Sequence, residues 1–316
     1  MKNVFNIKCL KCGSKHVVKR GKRKRNFGSV QAYYCKECDR SFLNERFQHR
    51  TYPIRIVFDA LNYYNLGYSY DETSKIINKK FKIKTCKSTV YYWIKKYQNF
   101  SLISSLRNKF LDYDDVLFTK SFEHENLEYE FMYHKYKLDA FLRGKFSALA
   151  DYIVRFEEGC PDVFFEIGKR CSQPMFMVDV KVICKKNLAC KLAGFAVQAA
   201  KDNRERHKMV EQFMIINDKA TVACEVPVWY WEKSIDDGVT GHIDILQVRG
   251  GNVYILDYKP GASKDKKAVQ QLYHYAVAIS FRANIPFERI RCAWFDEKSY
   301  YEFNLAEADA TLIKKI

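Results

Sequence analysis

The segment "GHIDILQVRGGNVYILDYKPG", Gly241 to Gly261, constrains the fold of this 316-residue chain more than any other. Ile, Leu, Val and Tyr alternate on both sides of Gly250-Gly251, and a Gly-Gly loop between two such runs signals a β-hairpin. A two-residue turn fixes the register, placing Leu246 opposite Ile255, Asp244 opposite Asp257 and His242 opposite Lys259. Side chains alternate along a strand, so Asp244, Asp257 and Lys259 share one face. Like charges directly opposed destabilise a sheet, and in apolar surroundings one carboxylate must take up a proton or both must share a cation. Hard Mg²⁺ or Mn²⁺ prefers carboxylate oxygens, so the pair reads as a metal cradle.

The flanking sequence extends this reading. "KAVQQLYHYAVAIS", Lys267 to Ser280, is an amphipathic helix that begins soon after Pro260-Gly261 and carries Gln271 and Tyr275, four apart on one face. Upstream, "CKLAGFAVQAAKDNRERHKMVEQFMI" predicts one long helix, Cys190 to Ile215, with His207 and Glu211 four apart. "TVACEVPVWYWE" follows as a strand in which Glu225 is a candidate to face the same site, and "IRCAWF" is the last strand. The pattern Asp244…Asp257-Tyr258-Lys259 resembles the PD-(D/E)xK nuclease superfamily, and Gln271-x3-Tyr275 resembles its RecB-type branch, over about Asp202 to Phe303.

That resemblance implies an α/β fold with a restriction-endonuclease-like core, a mixed sheet flanked by helices. It implies phosphodiester hydrolysis with Mg²⁺ or Mn²⁺ held by Asp244, Asp257 and the carbonyl of Tyr258. Glu211 is the further ligand of choice, with His207 as its alternate. Lys259 would position or deprotonate the attacking water or stabilise the transition state, and Gln271 and Tyr275 would orient Lys259 or the DNA backbone. Asp257 stands where many relatives carry Glu. A second acidic stretch, "CPDVFFEIGKR" from Cys160 to Arg170, has a spacing too short for a strand pair and reads as structural sequence.

The N-terminal third has a different character. Cys9-x2-Cys12 and Cys35-x2-Cys38, with 22 residues between the pairs, offer four thiolates in two knuckles, the donor set of a tetrahedral Zn²⁺ site. Four cysteines saturate such a site, leaving His16 and His49 outside it. Between the knuckles lies "KRGKRKRNFG", a basic hairpin tip whose Lys22, Arg23, Lys24 and Arg25 suit phosphate contacts. Ile54, Val57, Phe58, Leu61 and Tyr64 repeat at helical spacing. Ser69 or Asp71 caps a second helix, and Ser88 or Thr89 opens a third that turns Val90, Trp93, Ile94 and Tyr97 inward. Ser88, Thr89, Tyr91, Tyr92 and Lys95 then face DNA in a helix-turn-helix outline. Residues 1–100 hold 23 Lys and Arg against 6 Asp and Glu, so the whole net charge of +17 sits there, and residues 101–316 are neutral at 31 of each. This third, over residues 5–98, resembles the zinc ribbon and helix-turn-helix of insertion-sequence transposases, but the three carboxylates of their catalytic domain do not evidently follow.

The expected organisation is a zinc ribbon (1–50), a helix-turn-helix domain (51–98), a linker (99–120) and a nuclease domain (121–316, core 202–303). No apolar run approaches the roughly 18 residues of a membrane span, and the first residues, "MKNVFNIKCLKC", lack the apolar region expected of a signal peptide. With an odd number of cysteines, eleven, the expectation is a cytoplasmic protein whose partner is DNA, with a homodimer left open. The function expected is a metal-dependent DNA nuclease targeted by its basic arm and linked to a mobile element or virus. The alternative is a DNA-binding regulator, or a transposase-related protein, with an inactive nuclease fold.

Overall fold

The structure, a computed structural model, describes residues 7–9, 11–25, 28–43, 52–110 and 115–313. Asn26 and Phe27 of the basic tip, the side chain of Arg25, His49, and Leu111 to Asp114 of the expected linker lie outside the described residues. The chain folds into two compact units. The first comprises residues 1–64, 68–98 and 198–201, and the second comprises residues 65–67, 99–197 and 202–316.

In the first unit, β1 (Val17–Arg25), β2 (Gly28–Cys35) and β3 (Arg40–Leu43) form an antiparallel sheet. Among the described residues its apolar cluster is Val30, Ala32 and Leu43, a small core of the kind that a metal staple supports. Three helices follow: α1 (Ile54–Asn65), α2 (Tyr70–Phe81) and α3 (Lys87–Lys96). Ser69 caps α2 in a capping box with Glu72, and Lys82 ends it at φ +53°. The start of α3 differs from expectation. Cys86 is the N-cap, so Ser88 and Thr89 already lie inside the helix, with their hydroxyls 3.0 and 3.4 Å from the Cys86 Sγ. Val57, Phe58, Leu61, Ile77, Val90, Trp93 and Ile94 are buried, and Lys80 of α2 pairs with Asp59 of α1 at 2.6 Å.

The second unit holds β4 (Leu117–His124), β5 (Leu127–His134), α4 (Lys135–Phe141), α5 (Ser147–Val154), α6 (Asp162–Glu166), β6 (Lys169–Arg170), β7 (Phe176–Asp179) and β8 (Ile183–Cys184). It continues with α7 (Leu188–Ala196), α8 (Arg206–Asn217), β9 (Thr221–Glu232), β10 (Asp237–Arg249), β11 (Asn252–Tyr258), α9 (Ala268–Ala283), β12 (Ile290–Phe295), β13 (Tyr300–Asn304) and β14 (Asp309–Leu312). Among the described residues, nine strands form one mixed sheet in the order β4-β5-β9-β10-β11-β12-β13-β8, with β6 also paired to β10. The pairs β11–β12 and β10–β6 are parallel and the others antiparallel.

Cross-strand partners show which helix covers which face. Ala223, Leu246, Ile255 and Cys292 pair in series, as do Cys224, Ile245, Leu256 and Ala293. The Cys292 thiol meets the Leu272 carbonyl of α9, and the Cys224 thiol meets the Glu211 carbonyl of α8. Alternate side chains point to opposite faces, so α9 and α8 flank opposite sides of the sheet. On the α9 side, Leu246, Ile255, Leu272, Ala276, Ile279 and Cys292 share one core with Leu149 and Ile153 of α5. Each fully buried Leu or Ile there contributes about 1.5–3 kcal/mol.

Two further expectations are corrected. The long helix from Cys190 to Ile215 is two helices: α7 passes into a 3-10 turn at Val197–Ala199, and α8 starts at Arg206. Asp202 causes the break, because its carboxylate accepts the backbone N–H groups of Arg204 (2.8 Å) and Glu205 (3.2 Å) and so favours a turn over the helix ladder. Residues 99–110 of the expected linker are not a bare connection. A 3-10 helix spans Leu102–Lys109, Ile103 and Phe110 are fully buried, and β4 begins at Leu117.

At the C-terminal end of α8 lies a fully buried lysine. Lys137 Nζ donates to the carbonyls of Ile215 (2.5 Å) and Asp218 (2.6 Å), which a helix end otherwise leaves unpaired, and to that of Thr221 (2.8 Å) at the start of β9. Burial pushes this amine down to about 7, while three carbonyl acceptors favour the ammonium, which alone has three N–H groups to give. Lys137→Met leaves those carbonyls buried and unpaired. It is expected to destabilise the second unit by about 3 kcal/mol or more, read as a drop in the urea midpoint at unchanged m-value.

Candidate metal centres

Cys9, Cys12, Cys35 and Cys38 come together, with all four sulfurs within 4.8 Å of one another. Cys9 to Cys38 and Cys12 to Cys35 are each 3.6 Å, close to the roughly 3.8 Å edge of a tetrahedron with about 2.3 Å Zn–S bonds. Gly13, at φ +73°, lets the first knuckle turn back so that its N–H reaches the Cys9 carbonyl at 2.9 Å. Backbone N–H groups of Cys12 and Lys11 pull the Cys9 thiol down to about 6, whereas burial and the neighbouring thiols push Cys38 up to about 12. This cluster could hold a zinc ion.

The second centre lies where β10 and β11 part. Both hairpin glycines have positive φ, +57° and +70°, the backbone of a tight two-residue turn. The register is Arg249 with Asn252 through Ile245 with Leu256. Beyond that the ladder stops. Asp244 Oδ2 accepts the Tyr258 N–H at 3.3 Å, and Lys259 N–H turns to the Phe295 carbonyl at 2.9 Å. His242 therefore does not face Lys259. It pairs with Pro227 of β9 and stacks on Tyr129 at 3.7 Å. The β9–β10 pairing also skips Asp244 and Glu225, and Glu225 is left-handed at φ +51°, an uncommon state for a residue with a side chain.

Into this gap the structure brings groups from both sides of the sheet. The ligand atoms of His207, Asp244 and Asp257 lie within 4.8 Å of one another, and His207 Nε2 is 3.9 Å from Asp244 Oδ2. Lys259 Nζ sits 2.9 Å from Asp257 Oδ2 and donates to Gln271 Oε1 at 3.1 Å. The Gln271 amide in turn donates to the Tyr275 hydroxyl at 2.7 Å. Gly241 makes room for this relay, since a Cβ there would come within 2.5 Å of the Tyr275 ring. Glu211 is buried, with Oε1 lacking a protein partner, and its carboxyl feels the charges of Glu225 and Asp244. The Tyr258 hydroxyl and Arg206 both bond Glu297, which ties the first turn of α8 to the end of β11.

Four acids gathered at one gap, Glu211 and Asp257 buried and Asp244 and Glu225 half-buried, cannot all ionise freely. Burial, reinforced by the charge of Glu225, pushes Asp244 up to about 6, against the pull of Asp257 and Lys259. Burial and the charge of Asp257 push Glu225 up to about 7. Burial first, then Asp244, raises Asp257 well above the carboxylate range, and burial with Glu225 does the same to Glu211. Burial would lower Lys259, but Asp257 and Asp244 outweigh it and raise it.

Of two further groups at this centre, one is legible in the sequence in part and the other is not. Glu225 is there only a candidate, because strand alternation gives its parity but not the backbone reversal that aims it. Arg170, inside the stretch that reads as structural, shares a cavity with Glu225 and Asp244. On the first unit, Lys22, Arg23, Lys24, Ser88, Tyr91, Tyr92 and Lys95 are exposed and Thr89 is half-buried.

Two outcomes are expected. Cys35→Ser should release zinc, read by elemental analysis, and lose the protease resistance of residues 7–43. At the second centre, Asp244 and Glu225 have folded pKa values above their unfolded ones, near 4. The folded state therefore binds the extra protons, and the metal-free protein should lose stability as pH rises from about 4 to 7. Mg²⁺ should raise the melting temperature more at pH 8 than at pH 5. Asp244→Asn should stabilise the metal-free protein at pH 8 by roughly 2 kcal/mol and abolish the Mg²⁺ shift.

Among protein-family models, curated proteins and solved structures, nothing matches this chain significantly, so the centre is read from its own chemistry.

Proposed function

We propose that the protein is a metal-dependent DNA nuclease with a PD-(D/E)xK-type centre in a restriction-endonuclease-like core, carried to DNA by its zinc-ribbon and helix-turn-helix arm. The observation that carries this reading is the joint placement of Asp244, Asp257, Lys259 and Gln271 around one point. A structural hairpin gains nothing from facing two acids, one of them fully buried, into a gap in its own ladder.

The residues fit a divalent ion. Glu211 Oε1 and Asp257 Oδ1 are buried without protein partners, and uncompensated polar burial of that kind is costly. Asp244, Asp257, His207 and the Tyr258 carbonyl would hold Mg²⁺ or Mn²⁺, with Glu211, expected as the ligand of choice, outside that close group but adjacent through its charge coupling to Asp244. When bound, the ion supplies Lewis acidity at a phosphate and acidifies water. Lys259 is held as an ammonium between a carboxylate and an amide oxygen, which suits it to meet charge that develops on the phosphate. Gln271, fixed from behind by Tyr275, keeps that ammonium in place.

The arm supplies general affinity. Lys22, Arg23 and Lys24 project from β1. On α3, Lys95 lies 5.8 Å over Tyr91 and Lys96 5.7 Å over Tyr92, an exposed aromatic and cationic face. The second unit, drawn from the neutral part of the chain, adds little long-range attraction.

The test is cleavage of linear and covalently closed circular DNA with Mg²⁺ or Mn²⁺. Wild type should cut. Lys259→Ala should lose at least 100-fold in kcat while binding DNA as tightly as wild type. DNA bound tightly by both proteins and cut by neither leaves a DNA-binding regulator with an inactive nuclease fold.

A further inference from the structure

We propose that the cavity beside the four acids seats one phosphodiester of a single DNA strand, gripped by Arg170. The inference rests on the nuclease reading and names the form of its substrate. The cavity measures about 190 Å³ and is lined by Glu225, Asp244 and Gln271 together with Tyr129, Arg170 and Ser172. It is smaller than the roughly 300–1,000 Å³ of pockets that enclose a drug-sized ligand. A phosphate with its flanking sugar suits that space, and a base pair does not.

Arg170 is built into place. Its strand, β6, pairs in parallel with β10, Arg170 lying beside Thr240, and the next N–H, of Cys171, bonds the Thr240 carbonyl at 2.9 Å. The guanidinium donates to the Tyr129 hydroxyl at 2.9 Å, to His124 Nδ1 at 3.0 Å and to Glu125 at 3.3 Å. The Tyr129 ring is itself pinned flat on His242. A guanidinium carries five N–H groups, so two remain for a ligand, and the planar fork matches two phosphate oxygens. Glu225 and Asp244 on the same cavity wall repel a phosphate until a cation neutralises them. The grip is therefore expected to need a divalent ion and Arg170 together.

The full-length protein is assayed with Mg²⁺ on a single-stranded oligonucleotide and on a blunt duplex closed by hairpins at both ends. Arg170→Ala removes the side chain, Arg170→Gln keeps polar contacts to Tyr129 and His124, and Arg170→Lys keeps the charge without the fork. Melting temperatures within a few degrees of wild type show which variants fold. The expected result is a KM on single strands raised at least tenfold by the Ala and Gln variants, with kcat within threefold and the Arg170→Lys protein intermediate. The slope of log KM against log salt should fall by about 0.7, the value for one lost single-strand phosphate contact, which a purely structural arginine would not change. Unchanged KM and slope, or equal use of the closed duplex, overturns the inference. Should wild type cut neither substrate, the nuclease reading falls. Calorimetric titration with the tetranucleotide dT4 and Mg²⁺, too short to span a helix-turn-helix site, then decides for the cavity. A Kd at least tenfold weaker for Arg170→Gln upholds the grip, and equal Kd values overturn it.

Discussion

The repulsion among Glu211, Glu225, Asp244 and Asp257 governs the centre of this molecule. Gathered at one gap, two of them buried and two half-buried, they have Lys259 at 2.9 Å from Asp257 and Arg170 near Glu225 as protein counter-charges. The local backbone shows the strain of holding them. The β10–β11 ladder ends one step short of the two aspartates, a carboxylate replaces a carbonyl as the acceptor for Tyr258, and Glu225 takes a left-handed φ inside a strand. Strain of that kind costs of order 1–3 kcal/mol per residue and persists only where the surroundings over-determine it. Here the surroundings are a nine-stranded sheet with a continuous apolar core.

The helix that reaches the cluster from the α8 side is fixed at both ends by polar contacts rather than by apolar packing alone. Lys137 ties two carbonyls at its C-terminal end to that of Thr221 at the start of β9, and Glu297 joins Arg206 of its first turn to the Tyr258 hydroxyl. Between those anchors lie His207 and Glu211. Neither anchor touches the aspartates, yet each sets where the ligand atoms of α8 stand. A buried lysine is a costly anchor, since desolvation opposes its charge. Its three bonds compensate by removing the unpaired carbonyls that a buried helix end would otherwise leave.

Local chemistry makes parts of this legible in the sequence. Two adjacent glycines specify a turn whose geometry fixes the strand register, so the facing of Leu246 and Ile255 follows from the chain alone. Cysteine spacing specifies two knuckles, and the Ser69–Glu72 capping box marks where α2 begins. The misreadings share a different cause. The apolar pattern runs on through residues 197–205, but Asp202 offers the backbone another partner and breaks the helix. Strand alternation predicts the face of Glu225 and says nothing about a single reversed φ. Arg170 acquires its setting from Thr240, Tyr129 and His124, all distant in sequence, and no local pattern encodes such a meeting.

On the nuclease reading, the charge distribution separates capture from chemistry. The arm carries the whole net charge and can hold DNA by counterion release without any contribution from the centre. The centre, by contrast, presents carboxylates to whatever enters it, so a phosphate is repelled there for as long as those acids are ionised and uncompensated. A proton would relieve the repulsion within the cluster but would leave only Lys259 and Arg170 to attract the phosphate. A divalent cation relieves it and, with Lys259 and Arg170, balances the four negative charges, so the same four acids that destabilise the empty fold hold the ion that lets the loaded one admit its substrate. The stability and the activity of this centre are then two readings of one electrostatic balance, and a substitution that relaxes the fold by removing an acid is expected to remove the attraction as well.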